Sequence, residues 1–378
     1  VAGQNIQDYL QGHYIAAITQ VAQTLHDLPN IIGFEPMNEP SRGYIGESDL
    51  KCIPGAIEVR LGQTPTILQS MALGAGTPQT VAVYKLGLTG FRKVGKSLAN
   101  AKGISAWQLP ENDIWREHGL WQLNKLGQPE VIMPDYFSVV NGRQVNFNND
   151  YYKPFIRKLS QSVREIMPDT LLFIETVPSD TNLTWTEDDP HNIVYADHWY
   201  DGITLSFKQF REWLAADAEK LRLSLGKKRA RRSFINQINR FKQRAKTNFR
   251  NAPVLVGETG IPFDLSKKQA YRTGDFNEQI KALDATISAM EQNLVSFTLW
   301  NYTADNSNAH GDLWNDEDFS LYSPDQKTGT GSLDDGGRAL RAAVRPYAMK
   351  TAGTPLSQSF NIKTRRYHFT FEADPAIS

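Results

Sequence analysis

Five short apolar runs, at residues 31–37, 171–177, 193–198, 253–256 and 294–300, alternate with stretches of helical period at 6–25, 152–167, 207–223, 276–292 and 336–344. In the first helical stretch Ile6, Leu10, Tyr14, Ala17, Ile18, Val21 and Leu25 recur on one face, and Pro29 ends it. Strands that alternate with helices predict a parallel sheet with right-handed crossovers. The expected fold class is α/β, a (β/α)8 TIM barrel that is incomplete here. The five runs would be about strands 4 to 8, and closure needs three more. Those strands would fit before residue 1. The chain therefore reads as an excerpt of a longer protein with an open first edge, poorly folded and inactive by itself. The expected barrel domain covers 1–350, with a long insertion at about 41–150 that reads as poor in strands and rich in Gly, Pro and Trp. Two short strands between Gln358 and Phe371 mark the start of a C-terminal β-sandwich at 354–378.

Composition excludes several classes. Lys and Arg number 41, as do Asp and Glu, so nothing global points to a nucleic-acid partner. Cys52 is the single cysteine, which rules out an intrachain disulfide. No run approaches the roughly 18 apolar residues of a membrane span. The seven His show no HExxH-like spacing, so neither a metal nor any other cofactor is expected. GxSxG and P-loop patterns are absent too. Gly74-Ala75-Gly76 has no strand before it.

Two of the runs deliver glutamates at strand ends. FEPMNEP ends in Asn38, Glu39 and Pro40, and PVLVGETG carries Glu258. Strand ends of a barrel converge on one pocket, so positions far apart in sequence can meet. Retaining glycoside hydrolysis needs one protonated and one ionised carboxyl about 5 Å apart. Alternation groups Glu35, Met37 and Glu39 on one face, Val254, Val256 and Glu258 on another, and Val194, Ala196, His198 and Tyr200 on a third. Trp300 closes the last strand. Ordinary salt-bridged carboxylates remain an alternative for Glu39 and Glu258. Glu35, deeper in its strand, reads as half of a buried ion pair, and Glu175 competes with Glu258 as nucleophile. His198 reads equally well as a site residue or a satisfied core histidine.

FEPMNEP, ISAWQLPENDIWREHGLW (104–121), PDYF (134–137), VYADHWYDGITL (194–205), VLVGETGIP (254–262) and LWNYTADNSNAHGDLWNDEDFS (299–320) together resemble glycoside hydrolase family five. The resemblance is closer to its fungal endoglycoceramidase-related branch of steryl β-glucosidases and glucosylceramidases. It implies Glu39 as general acid/base and Glu258 as nucleophile. It also implies Asn38 at the sugar 2-hydroxyl, His198 and Tyr200 as tuning groups, and Trp300 under the glucose ring. The family's supporting Arg and His from earlier strands have no counterpart in this chain. The implied substrate is a membrane-lipid β-glucoside, steryl β-glucoside first. A glucosylceramide, a β-glucan or a purely binding role are the alternatives, and cytosol and vacuole both fit.

A lipid-linked glucose calls for an apolar cleft beside a polar sugar site. The aromatic segment 85–147 could wall that cleft or be a packing subdomain. Between Arg222 and Arg250 the chain is basic, with Lys227, Lys228, Arg229, Arg231 and Arg232 and no Asp or Glu. Ile235, Ile238, Phe241 and Phe249 add apolar positions. Peripheral membrane contact through this stretch is one expectation, and a solvated helix is the other.

Overall fold

The computed structural model describes residues 3–54, 60–87, 90–109, 113–177 and 182–377. Residues Pro110, Glu111 and Asn112 of the WREHG-containing motif lie outside that set. The chain forms two compact units. One holds Ile32–Pro36, Asp169–Glu175 and Thr184–Ser378, and the other Val1–Ile31, Met37–Pro168 and Thr176–Leu183. Elements are numbered along the chain.

The first of these units carries the parallel strands. β1 (Gly33–Phe34), β9 (Leu171–Ile174) and β10 (Ile193–Tyr195) pair in that order, all parallel. β13 (Leu255–Thr259) and β14 (Ser296–Leu299) form a second parallel pair. Parallel bridges Tyr195↔Val254 and His198↔Glu258 join the two sets. The five expected strands are therefore present, in sequence order. All but β13 are shorter than their apolar runs. β1 in particular is two residues long, and Ile32 beside it is 61% exposed.

Helices α5 (Gly202–Phe207), α6 (Lys227–Asn248), α7 (Leu265–Thr273), α8 (Asn277–Asn293) and α9 (Leu340–Ala343) belong to the same unit. α6 turns Phe234, Ile238, Phe241 and Ala245 inward, where Tyr195 stacks on Phe249 at 4.7 Å. Burying a side chain such as Ile238 contributes about 1.5–3 kcal/mol. Of the apolar positions in the basic stretch, Ile238, Phe241 and Phe249 are core residues and cannot insert into lipid without unpacking the unit, so they cannot supply a membrane contact. No described helix is long and apolar enough to cross a membrane.

Two other expectations also change. The stretch 207–223 is not one helix. Lys208 takes a left-handed backbone that ends α5, and a hairpin of β11 (Leu214–Asp217) and β12 (Arg222–Leu225) follows. Its apolar residues obey a period of two, which a helical template can also collect. The helix expected at 336–344 shrinks to α9, because Gly336 holds φ 92° and Arg338 is drawn into the core.

The C-terminal hairpin, β15 (Gly353–Asn361) with β16 (Arg366–Ala373), forms as the alternation predicts. Arg345 ties it down. Its guanidinium lies over the Phe360 ring at 4.9 Å and reaches Glu291 at 3.0 Å and Asp284 at 3.2 Å on α8. Arg231 of α6 completes the cluster on Asp284 at 2.6 Å.

The other unit holds α1 (Ile6–Leu25) and α4 (Lys153–Arg164), which meet through Tyr14 and Phe155, and α2 (Ile67–Gly74) and α3 (Ile114–Glu117). The insertion is not strand-poor. β2 (Gly62–Thr64), β3 (Gln79–Gly87) and β4 (Gly90–Ala99) make an antiparallel sheet. β5 (Trp121–Leu123) pairs with β6 (Pro129–Val131), and β7 (Val139–Val140) with β8 (Arg143–Gln144). Gly74 to Gly76 close α2 and its C-terminal turn. Trp115, Tyr136 and Phe137 pack on a core of Leu50, Ile67, Met71, Leu120 and Trp121, so these aromatics serve packing.

Burial holds the Glu291 carboxyl up at about 7, against an ordinary 4.5, with Arg345 opposing and Asp284 reinforcing the rise. Below the ordinary value both folded and unfolded states keep the proton, and the stabilisation is complete. As pH rises toward about 7 only the unfolded chain releases it, so stability falls across that window and levels off above. Urea unfolding at pH 5 and pH 8 should show this loss in the wild type and a smaller one in Glu291→Gln.

Candidate active site

Backbone hydrogen bonds align the carboxyl ends of the parallel strands. Ala196 N–H donates to Ile174 O at 2.8 Å, Gly257 to Asp197 O at 3.1 Å, Trp199 to Glu258 O at 2.9 Å and Trp300 to Thr259 O at 2.7 Å. That ladder gathers Glu35, Glu175, Asp197, His198, Tyr200, Glu258 and Trp300 at one end of the sheet.

A β-bulge aims Glu258. Val256 pairs with Phe297 and Thr259 with Leu299, so Gly257 and Glu258 together oppose Thr298. The Thr298 hydroxyl donates to the displaced Gly257 carbonyl. Gly257 has no substitute: a Cβ there would lie 2.5 Å from the Ala196 carbonyl oxygen.

Both oxygens of Glu258 are engaged. The Tyr200 hydroxyl donates to Oε1, and His198 Nδ1 lies 3.5 Å from Oε2. The same Nδ1 lies 3.5 Å from Glu175 Oε1. Glu175 is 1% exposed and sits behind the imidazole. It is thus less accessible than Glu258, whose side chain is 16% exposed. Among the described residues the basic group that acts on Glu35 is His198. Glu35 hydrogen-bonds Glu175, and burial raises its pKa against the pull of His198, with Glu258 and Asp197 adding repulsion.

Glu35, Glu175 and His198 offer atoms within 4.8 Å of one another, a spacing that could hold a cation. Asp197 is held apart by its own partners, the Tyr195 hydroxyl and Arg244.

Asn38 and Glu39 belong to the other unit and are exposed. Glu39 does not continue a strand. Pairing in β1 stops at Phe34, and Glu39 has φ 43°, so alternation gives no guide to its direction. Trp300 is half-buried, with Nε1 3.4 Å from Glu317 Oε2.

The loop after Trp300 is fixed by a buried network that the sequence did not flag. Asn306 Nδ2 donates to Asp312 at 2.8 Å and to Asp318 at 3.0 Å. Arg338 Nη2 reaches Asp318 at 2.8 Å, its Nε reaches Ser320 O at 2.8 Å, and the guanidinium covers Phe263 at 4.2 Å. Tyr271 donates to Asp318 Oδ2 at 2.5 Å. The same loop leaves Tyr302 and Trp314 71% and 59% exposed.

Two family models match the chain. "Cellulase (glycosyl hydrolase family 5)" matches residues 136–306, and "Glycoside hydrolase family 5 C-terminal domain" matches 345–378. The chain belongs to glycoside hydrolase family 5. It is 36% identical to a glucosylceramidase of Rhizopus delemar, over 98% of this chain and 58% of that protein. It is 34% identical to an ergosteryl-beta-glucosidase of Saccharomyces cerevisiae, over 86% and 48%. The solved structure of Cryptococcus neoformans sterylglucosidase 1 with tris superposes at a TM-score of 0.89, with 31% identity, over 97% of this chain and 58% of that one. The chain thus spans about half the length of the curated relatives it matches. Its five parallel strands are part of a (β/α)8 barrel, and a C-terminal domain follows.

Gly257→Ala should lower stability by about 1–3 kcal/mol in urea unfolding, because backbone cannot yield as a side-chain tip would. Arg338→Met leaves the Asp318 carboxylate buried without its cation and should cost about 3–5 kcal/mol by the same measurement.

Proposed function

We propose that the protein carrying this chain is a retaining β-glucosidase of lipid-linked glucosides, with steryl β-glucoside as the first candidate substrate. The observation that carries this reading is the setting of Glu258, a strand-end carboxylate gripped by a tyrosine hydroxyl on one oxygen and faced by an imidazole on the other.

In this scheme the Glu258 carboxylate attacks the anomeric carbon and forms a glycosyl ester. The bond to the aglycone oxygen breaks, and Glu39 delivers a proton to that oxygen. Glu39 then takes a proton from water, the water oxygen attacks the same carbon, and the ester bond returns its electrons to Glu258. Two displacements preserve the β configuration. Tyr200 and His198 keep Glu258 ionised and oriented, since hydrogen bonds and opposite charge favour the charged form. Asn38 binds the 2-hydroxyl, and Trp300 lies under the sugar ring. Tyr302 and Trp314, exposed on the loop that follows Trp300, offer an apolar flank for an aglycone. The names of the relatives, ergosteryl-beta-glucosidase and glucosylceramidase, support a lipid aglycone of either kind.

The test is glucose release by the whole protein from steryl β-glucoside and glucosylceramide side by side, with the anomer followed by NMR. The expected result is initial β-glucose, faster release from the steryl substrate, and a loss of about a thousandfold or more in kcat for Glu258→Gln. Initial α-glucose would overturn the retaining mechanism. Faster release from glucosylceramide would move the assignment to a glucosylceramidase.

A further inference from the structure

We propose that the β11–β12 hairpin and the adjoining face of α6 form a docking surface for an anionic lipid bilayer. The hairpin has two unlike faces. Pairing sets Leu214 opposite Leu225 and Ala216 opposite Leu223, with Ala215 and Asp217 pointing the other way. Ala215 and Asp217 are buried, and Gln237 of α6 donates to the Ala216 carbonyl at 3.1 Å. The outward face is therefore wholly apolar, with Leu223 60% and Leu225 57% exposed.

The turn extends this face. Leu221 is 93% exposed and holds φ 48°, a left-handed conformation that suits Gly or Asn far better. The chain thus accepts local strain to present a leucine at the tip. Trp213, 52% exposed, stands at the other end.

Positive charge flanks the apolar face. A groove of about 510 Å³ between hairpin and α6 is lined by Lys220, Arg222, Lys228, Arg229 and Arg232. None of these five has an ion-pair partner among the described residues. The carboxylates nearby are taken: Asp217 by Arg240, Glu219 by Arg240 and Arg244, and Glu212 by Lys227. The surface is cationic without compensation.

Charge alone would suit any polyanion. The leucines decide for a bilayer, since a nucleic acid would leave Leu221, Leu223 and Leu225 in water. A lipid surface takes all three kinds of group at once: leucines among the acyl chains, Trp213 at the headgroup level, and the basic side chains on the phosphates. The hairpin also lies on the segment that leaves the carboxyl end of β10 after His198 and Tyr200. Docking there would hold the protein at the surface in which a glycolipid lies. That advantage rests on the proposed glycolipid substrate, whereas binding itself does not.

The experiment is co-sedimentation of the whole protein with phosphatidylcholine vesicles, with and without phosphatidylserine, at low and high salt. Binding is expected only with phosphatidylserine and should weaken with salt. The double variant Arg229→Glu, Arg232→Glu should bind at least tenfold more weakly, since each cation near an anionic surface is worth about fivefold. Leu221→Ser with Leu223→Ser should also bind several-fold more weakly at unchanged charge. Both variants should hydrolyse a soluble aryl β-glucoside at the wild-type rate. Equal sedimentation with and without phosphatidylserine would overturn the proposal, as would wild-type binding by either variant. Binding of single-stranded RNA that the leucine variant leaves intact, without vesicle binding, would reassign the groove to a polyanion. Vesicle binding by a protein without glucosidase activity would leave the docking surface standing and remove the catalytic reading.

Discussion

A parallel ladder brings distant residues to one spot only if every neighbouring pair stays in register up to its carboxyl end. In this chain that register is held by few bonds. β1 contributes two paired residues, and β10 meets β13 through single bridges at Tyr195 and His198. The four backbone hydrogen bonds from Ala196, Trp199, Gly257 and Trp300 therefore set where the side chains between Glu35 and Trp300 stand. Loss of one pairing would move a carboxylate relative to the imidazole that faces it, which matters more to chemistry than to the core.

The electrostatics follow from that crowding. Glu35, Glu175, Asp197 and Glu258 surround one histidine. Such a set is tolerable only if its charge is divided. Burial raises the pKa of Glu35, and Asp197 turns to Tyr195 and Arg244. Glu258 shares the imidazole with Glu175 but has the Tyr200 hydroxyl on its other oxygen. The partners of these neighbours set Glu258 apart from the other carboxylates of the cluster.

The strands and their carboxylates were legible because short apolar runs bounded by turn residues have few other readings. Glu258, His198, Tyr200 and Trp300 could be picked out because each ends such a run. Backbone register was not legible: side-chain alternation cannot reveal the extra residue at Gly257, nor the left-handed turn at Glu39. The hairpin at 214–225 reads as helix because its seven apolar residues in twelve can be collected by a helical period as well as by a period of two. Arg338 left no signal. In DDGGRAL it reads as an exposed turn residue, whereas its partners lie 18, 20 and 67 positions away and bury it completely. The basic stretch misled in a different way, since its sequence shows charge and apolar residues together while folding sends them to opposite sides of α6.

The bulge at Gly257 separates two phases within one strand. Below it, Leu255 and Val256 keep step with Ser296 and Phe297, and above it Thr259 keeps step with Leu299 after one residue has been absorbed. Packing of the barrel wall and aim of the Glu258 carboxylate are thus set by different stretches of β13. Sequence drift that repacks the lower half need not rotate Glu258, and changes that retune the upper half need not disturb the wall. The hinge between the two is a single glycine, and it is there that this strand has least freedom to vary.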